Sequence, residues 1–168
     1  IKNKSCSITA EIDVKDKPAS GVIIAQGGKF GGWSVYAKEG KLKFTYNVLG
    51  IHEFPVEATA PIPQGKHQVR MEFAYDGGGL AKGGNVTLYC DGQSVGSGRV
   101  EATQPMIFSA DETTDIGYES GTPVTPDYTA HSSRFTGKIH WVQLDVGKDD
   151  HDHLISPDER LRVAMARQ

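Results

Sequence analysis

The chain has 168 residues, with 18 Lys and Arg against 21 Asp and Glu, for a formal net charge of -3. That is enough chain for one domain with one sizeable core, and it lacks the basic excess of a nucleic-acid platform. Gly 20 and Pro 8 together supply 28 residues, which favours short elements joined by tight turns and argues against an all-α fold. No apolar stretch approaches the roughly 18 residues a membrane span needs, so a soluble chain without membrane or nucleic-acid partners is expected. Its compartment, bacterial cytoplasm or periplasm/secreted, stays open. Ile1 already stands in strand-like sequence without a preceding Met, which suggests a processed protein or a piece of a longer one.

Period-2 alternation dominates from the start. Ile8, Ala10, Ile12 and Val14 alternate with Thr9, Glu11 and Asp13, the pattern of a strand with one buried face. Further strand-like runs are 21–26, 33–38, 41–48, 51–57, 67–75, 85–91, 94–101 and 138–146. Glu39-Gly40 and Asp91-Gly92 supply hairpin turns between alternating runs. Strands spaced every ~8–12 residues without helical segments between them predict an all-β, two-sheet antiparallel jelly-roll sandwich. Its core is expected to hold Ile8, Ile12, Val22, Ile24, Val35, Leu42, Phe44, Val69, Met71, Phe73, Val86, Leu88, Ile139 and Val142. Residues 104–134, interrupted by Pro105, Gly117, Gly121, Pro123 and Pro126, are expected to mix short strands with an ordered loop. The sandwich should occupy 1–147. A polar linker and one short C-terminal helix, started by Ser156-Pro157-Asp158-Glu159 and packed through Leu161 and Met165, should occupy 148–168.

Several groups carry candidate chemistry. Glu11, Asp13 and Asp16 have the look of a carboxylate strand for glycoside hydrolysis, because alternate positions share one sheet face, although a short Asp stands where an acid of Glu length is needed. Asp111, Asp115 and Glu119, in an acid-rich stretch with Glu112, could present oxygens to calcium. The run Asp149-Asp150-His151-Asp152-His153 holds ligand types for a divalent cation in what reads as a polar linker. Trp33, Tyr36, Tyr46 and Tyr75 are the aromatics a lectin would use to stack on sugar, and equally the large rings a sandwich core requires. Cys90 follows Val86 and Leu88 in alternation and reads as a small buried hydrophobe, while Cys6 lies outside any C-x-x-C pair. The glycine clusters fit turns, since neither phosphate-loop pattern occurs.

Five runs taken in order carry a family resemblance: Gln26-Gly27-Gly28-Lys29-Phe30-Gly31-Gly32-Trp33-Ser34-Val35-Tyr36, Phe44-Thr45-Tyr46-Asn47-Val48-Leu49-Gly50, Arg70-Met71-Glu72-Phe73-Ala74-Tyr75-Asp76-Gly77-Gly78-Gly79, Thr87-Leu88-Tyr89-Cys90-Asp91-Gly92, and Phe135-Thr136-Gly137-Lys138-Ile139. Together they resemble the C-terminal β-sandwich of bacterial arylsulfatases. The resemblance implies a concanavalin A-like, laminin-G-like jelly roll that accompanies a catalytic domain of the same polypeptide. It also implies no catalysis in this chain, because neither Cys6-Ser7-Ile8-Thr9-Ala10 nor Cys90-Asp91-Gly92-Gln93-Ser94 matches the C/S-x-P-x-R motif from which sulfatases make formylglycine. The expectation is therefore a non-catalytic accessory domain without a cofactor, packing on a sulfatase domain, shaping substrate access or assisting homo-oligomerisation. The alternatives are a free-standing glycan-binding module, with carbohydrate as partner, and a small glucanase using Glu11, Asp13 and Asp16.

Overall fold

Alternating apolar residues build ten strands in the computed structural model, which describes residues 1–15, 18–109 and 113–147. They are β1 (Cys6–Val14), β2 (Gly21–Gly28), β3 (Gly31–Lys38), β4 (Lys41–Val48), β5 (His52–Pro61), β6 (Gly65–Tyr75), β7 (Gly84–Cys90), β8 (Gln93–Val100), β9 (Thr114–Ile116) and β10 (Lys138–Val146). Two five-stranded antiparallel sheets result, a first in the order β10-β1-β6-β7-β8 and a second in the order β5-β4-β3-β2-β9. The architecture is an all-β jelly-roll sandwich of the laminin-G type.

Side chains from both sheets meet in one apolar layer. Ile8, Ile12, Val69, Met71, Val86 and Leu88 of the first sheet face Ile24, Val35, Leu42, Phe44 and Val56 of the second, all buried. Each fully buried Leu, Ile or Val contributes about 1.5–3 kcal/mol. Both expected hairpins close: Lys38 pairs Lys41 around Glu39-Gly40, and Cys90 pairs Gln93 around Asp91-Gly92. All four turn residues have positive φ, the demand that Gly meets without strain. At the far edge the two sheets approach closely because β8 carries glycine. A Cβ on Gly98 would lie 2.6 Å from a Val56 methyl, and one on Gly96 would lie 2.6 Å from the Glu57 carbonyl oxygen.

Three expected core positions are refined. Val22 is fully buried but belongs to a second apolar cluster with Ala25, Tyr36 and Tyr128 on the outer side of the second sheet. A bulge between Val22 and Ile24 turns it away from the main core. Ile139 and Val142 are only half-buried, since β10 is an edge strand and the facing β9 has just three residues. The expected irregular stretch does mix a short strand, β9, with an ordered loop holding a 3-10 turn at Ala130–Ser132. Thr129 caps that turn, accepting from the Ser132 amide, with Ser132 reaching back to the Thr129 amide. The proposed terminal helix and its linker lie outside the described residues. Among the described residues, no helix is long and apolar enough to cross a membrane.

Candidate binding cleft

The loop 117–134 lies across the outer face of the second sheet, and polar side chains tie it there. The Tyr36 hydroxyl donates to Asp127 Oδ2 at 2.6 Å and lies 3.0 Å from Thr45 Oγ1. Lys43 and Lys38 donate to the same carboxylate at 2.6 and 2.9 Å. Tyr128 donates to Ser34 Oγ at 2.8 Å and meets the Tyr36 ring edge-on, centroids 5.3 Å apart. Buried Glu119 accepts from the Val124 amide at 3.2 Å and so folds the loop on itself. Partial burial by itself would raise the Asp127 carboxyl, but the hydrogen bonds from Lys43, Tyr36 and Lys38 outweigh it and hold the group well below its usual range. Burial and the Asp127 charge push the Tyr36 phenol far up, so it remains a donor.

At one end of this face, where Thr122 Oγ1 accepts from the Lys29 amide at 3.1 Å, the loop and the strand tips together line a cleft of about 360 Å³. Buried Asn47 fixes its floor. Its amide donates to the Lys29 and Val124 carbonyls at 3.2 and 2.7 Å, and its Oδ1 accepts from the Gly50 amide at 2.8 Å, so one side chain joins both hairpin tips to the loop. Exposed Glu53, opposite Asn47 across the strands, stands in one wall and accepts from the Thr125 hydroxyl at 3.2 Å. Burial raises its carboxyl, and the Thr125 hydrogen bond opposes this only in part. Lys29, Pro123, Pro126 and Tyr128 are among the other lining residues. The cleft thus combines a carboxylate, an ammonium, hydroxyls and flat apolar rings.

On the hairpin tips and the loop beside them, large apolar side chains turn outward. Phe30 is 64% exposed at the tip of the β2–β3 hairpin, Leu49 and Ile51 lie at the β4–β5 tip, and Met106 and Ile107 lie on the adjoining loop. These segments are joined: Ser109 Oγ accepts from the Phe30 amide at 3.0 Å, and Gln104 Oε1 accepts from the Leu49 amide at 3.1 Å. Leu49 is held at φ 57°, a left-handed conformation unfavourable for a side chain of this size. Such local strain persists where neighbouring bonds over-determine the backbone, and it concentrates at binding and catalytic sites.

The aromatics singled out in the sequence go elsewhere. Trp33, Tyr36 and Tyr46 are 4, 0 and 3% exposed, which corrects the expectation that they offer faces to a ligand. Trp33 and Tyr46 point into the core, and Tyr36 lies beneath the covering loop, where its hydroxyl is saturated. Tyr75 is partly buried and bridges the Gly79 carbonyl, at 2.6 Å, and the Lys82 amide, at 3.0 Å, so it shapes the 76–83 loop. Phe30, by contrast, is exposed: it occupies a two-residue turn flanked by Gly27-Gly28 and Gly31-Gly32, and a residue at a hairpin tip has no core within reach.

The carboxylates also separate. Glu11 and Asp13 face outward from the first sheet, Glu11 paired with Lys66 at 2.8 Å and Asp13 with Lys15 at 3.1 Å. The Lys66 hydrogen bond lowers the Glu11 carboxyl, the reverse of what a catalytic acid needs. Asp115 accepts from the Ser120 amide and hydroxyl at 2.7 and 2.8 Å, while Glu119 is turned under the loop, so both shape the chain around Ser120–Val124. Asp16, Asp111, Glu112 and the run 149–153 lie outside the described residues.

No family model matches the chain, and no curated protein does. Solved structures do share its fold. Laminin α1 domains LG4-5 from mouse superpose with a TM-score of 0.58 at 17% identity, covering 86% of this chain and 37% of that one. The CBM40 of a Ruminococcus gnavus IT-sialidase, bound to α2,3 sialyllactose, gives 0.58 at 12% identity over 96% of this chain and 83% of that one. A heptameric SAP-like pentraxin from Limulus polyphemus gives 0.53 at 16% identity over 88% and 68%. These are laminin-G-like and concanavalin A-like sandwiches, so the expected fold stands. None is a sulfatase, and the arylsulfatase assignment gains no support from them.

Proposed function

We propose that the chain is a non-catalytic, lectin-like module that binds carbohydrate in the cleft between Phe30, Glu53 and the loop 117–134. One observation carries the reading: a largely exposed phenylalanine stands next to Gly50, which lines a preformed, polar-walled cleft, with a Cβ on Gly50 lying 3.8 Å from the Phe30 ring. Sugars present an apolar C–H face and a rim of hydroxyls, so they need a flat ring to stack on and paired donors and acceptors beside it. Phe30 supplies the ring. Glu53 accepts from sugar hydroxyls, Lys29 donates to them or to a sugar carboxylate, and Pro123 and Pro126 add further apolar contact. Asn47 does not touch the ligand in this account; it positions both hairpin tips.

Support from likeness is limited to the fold, and the CBM40 of the bacterial sialidase puts the same sandwich to use on sialyllactose. The test is a glycan array probed with the full chain and with Phe30→Ala. The wild type should retain at least one sugar class, and Phe30→Ala should weaken it by about tenfold or more. Equal retention by both proteins would overturn the assignment of the cleft.

The apolar rim also favours a second reading. An accessory domain of an arylsulfatase-like enzyme would seat Leu49, Ile51, Met106 and Ile107 against its catalytic domain or a second copy. In that case Ile51→Ser with Met106→Ser would alter association and leave glycan retention at background in every variant.

A further inference from the structure

At the edge of the β7–β8 hairpin, outside the lining of the cleft, His67, Cys90 and Asp91 bring three metal-type ligand atoms within 4.8 Å of one another. The cause is local and regular. His67 and Val69 share the inward row of β6, Cys90 pairs with Val69 across the sheet, and Asp91 begins the turn after β7. Cys90, read from sequence as a buried hydrophobe, is only half-buried because the inward row reaches the open end of the sandwich here.

Two of the three ligands are already oriented. His67 Nε2 lies 3.1 Å from the Gln64 carbonyl oxygen, which can only accept, so Nε2 carries a proton there. Nδ1 is thereby directed at Asp91 Oδ2, 2.6 Å away. The other carboxylate oxygen accepts from the Gln68 amide at 2.9 Å, and the Asp91 amide donates to the Gln68 carbonyl at 2.8 Å, so the carboxylate cannot swing away freely. An imidazole lone pair facing a carboxylate lone pair repels. The 2.6 Å contact is therefore a hydrogen bond with a proton between the two atoms, and a metal ion would replace that proton only as the two atoms part to take bonds of about 2.0–2.1 Å each. A histidine whose far nitrogen donates to a backbone carbonyl, beside a carboxylate fixed by an amide, is the outer bonding that metal-bound imidazoles use.

We propose that His67 Nδ1, Cys90 Sγ and Asp91 Oδ2 form a three-ligand site for a borderline divalent cation of the zinc type. A nitrogen, a thiolate sulfur and a carboxylate oxygen match zinc's ligand preferences, and three protein ligands leave a fourth tetrahedral position for water or another donor. A trough of about 400 Å³ that Cys90 and Asp91 help to line, with Gln93, Pro61 and Pro63, gives the ion and that donor a way in. Binding exchanges the Cys90 S–H proton for a Zn–S bond, and any proton held between His67 and Asp91 is released to solvent. No oxidant or reductant is involved. The ion would pin the start of β6 to the end of β7.

Zinc and cobalt(II), added singly to the full reduced chain, provide the test. One equivalent of zinc should bind, and cobalt should show a thiolate-to-metal charge-transfer band in the near ultraviolet. His67→Gln and Cys90→Ser should each weaken zinc binding by at least about tenfold, while Cys6→Ser and the pair His151→Gln, His153→Gln should leave it unchanged. Should Cys90→Ser fail to fold, alkylation of the wild type still decides: zinc must protect Cys90 and leave the reaction of Cys6 unaltered. Absence of the charge-transfer band, unprotected Cys90, or binding that disappears only with His151 and His153 would overturn the site.

Discussion

The outer faces of the two sheets differ more than their strands suggest. On the first sheet that face is a ladder of solvated polar side chains: Glu11 pairs with Lys66, and Arg70 reaches Glu72 at 2.7 Å and Thr9 at 3.0 Å. On the second sheet it is a buried polar layer, with Ser34 and Thr45 fully enclosed and Asp127 gripped by Tyr36 and two lysines. The difference is the loop 117–134, which covers one face and leaves the other bare. A covered face can hold a carboxylate and two ammonium groups in fixed geometry, and the cleft lies where that cover meets the hairpin tips.

Substitutions graded across the two faces can break this comparison. Leu88→Ala removes a side chain from the apolar layer that both sheets share and should cost about 2–5 kcal/mol, the largest effect expected, read by urea denaturation. Within the covered face, Asp127→Asn leaves Lys43 and Lys38 without their counter-charge and should cost about 1–3 kcal/mol. Its pH dependence has a definite sign. The folded-state carboxyl lies below its unfolded value near 3.8, so its stabilisation is fully present above that value and fades as pH falls through the folded one. The gap between wild type and Asp127→Asn should thus be constant from neutral pH to about pH 5 and narrow below about pH 4. On the bare face, Glu11→Gln breaks a solvent-screened ion pair and should change stability least of the three, less still in high salt. A loss at Glu11 equal to that at Asp127 would mean that the first sheet also carries a covered layer.

The same contrast explains what could be read from the sequence. In β1 and β6 the buried residues alternate with solvated ones, so Ile8, Ile12, Val69, Met71 and Phe73 announce themselves by period. In β2 and β3 nearly every residue is buried, because the loop encloses the second face. Alternation cannot distinguish a ring such as Tyr36, buried under a loop from 90 residues downstream, from one presented to ligand. The residues that pin the loop, Glu119, Asp127 and Tyr128, act through tertiary partners with no periodic signature. The exposure of Phe30 is legible, since a two-residue turn flanked by glycine pairs places its ring beyond reach of the core.

The most direct test of the cleft is residue-resolved. Isotope-labelled chain is titrated with α2,3-sialyllactose and with neutral di- and trisaccharides while amide chemical shifts are followed. The account predicts saturable shifts at Lys29–Gly31, Asn47–Glu53 and Pro123–Thr129, sparing Glu11, Lys66 and Arg70 on the bare sheet. Shifts confined to that sheet, or none with any saccharide, would contradict it.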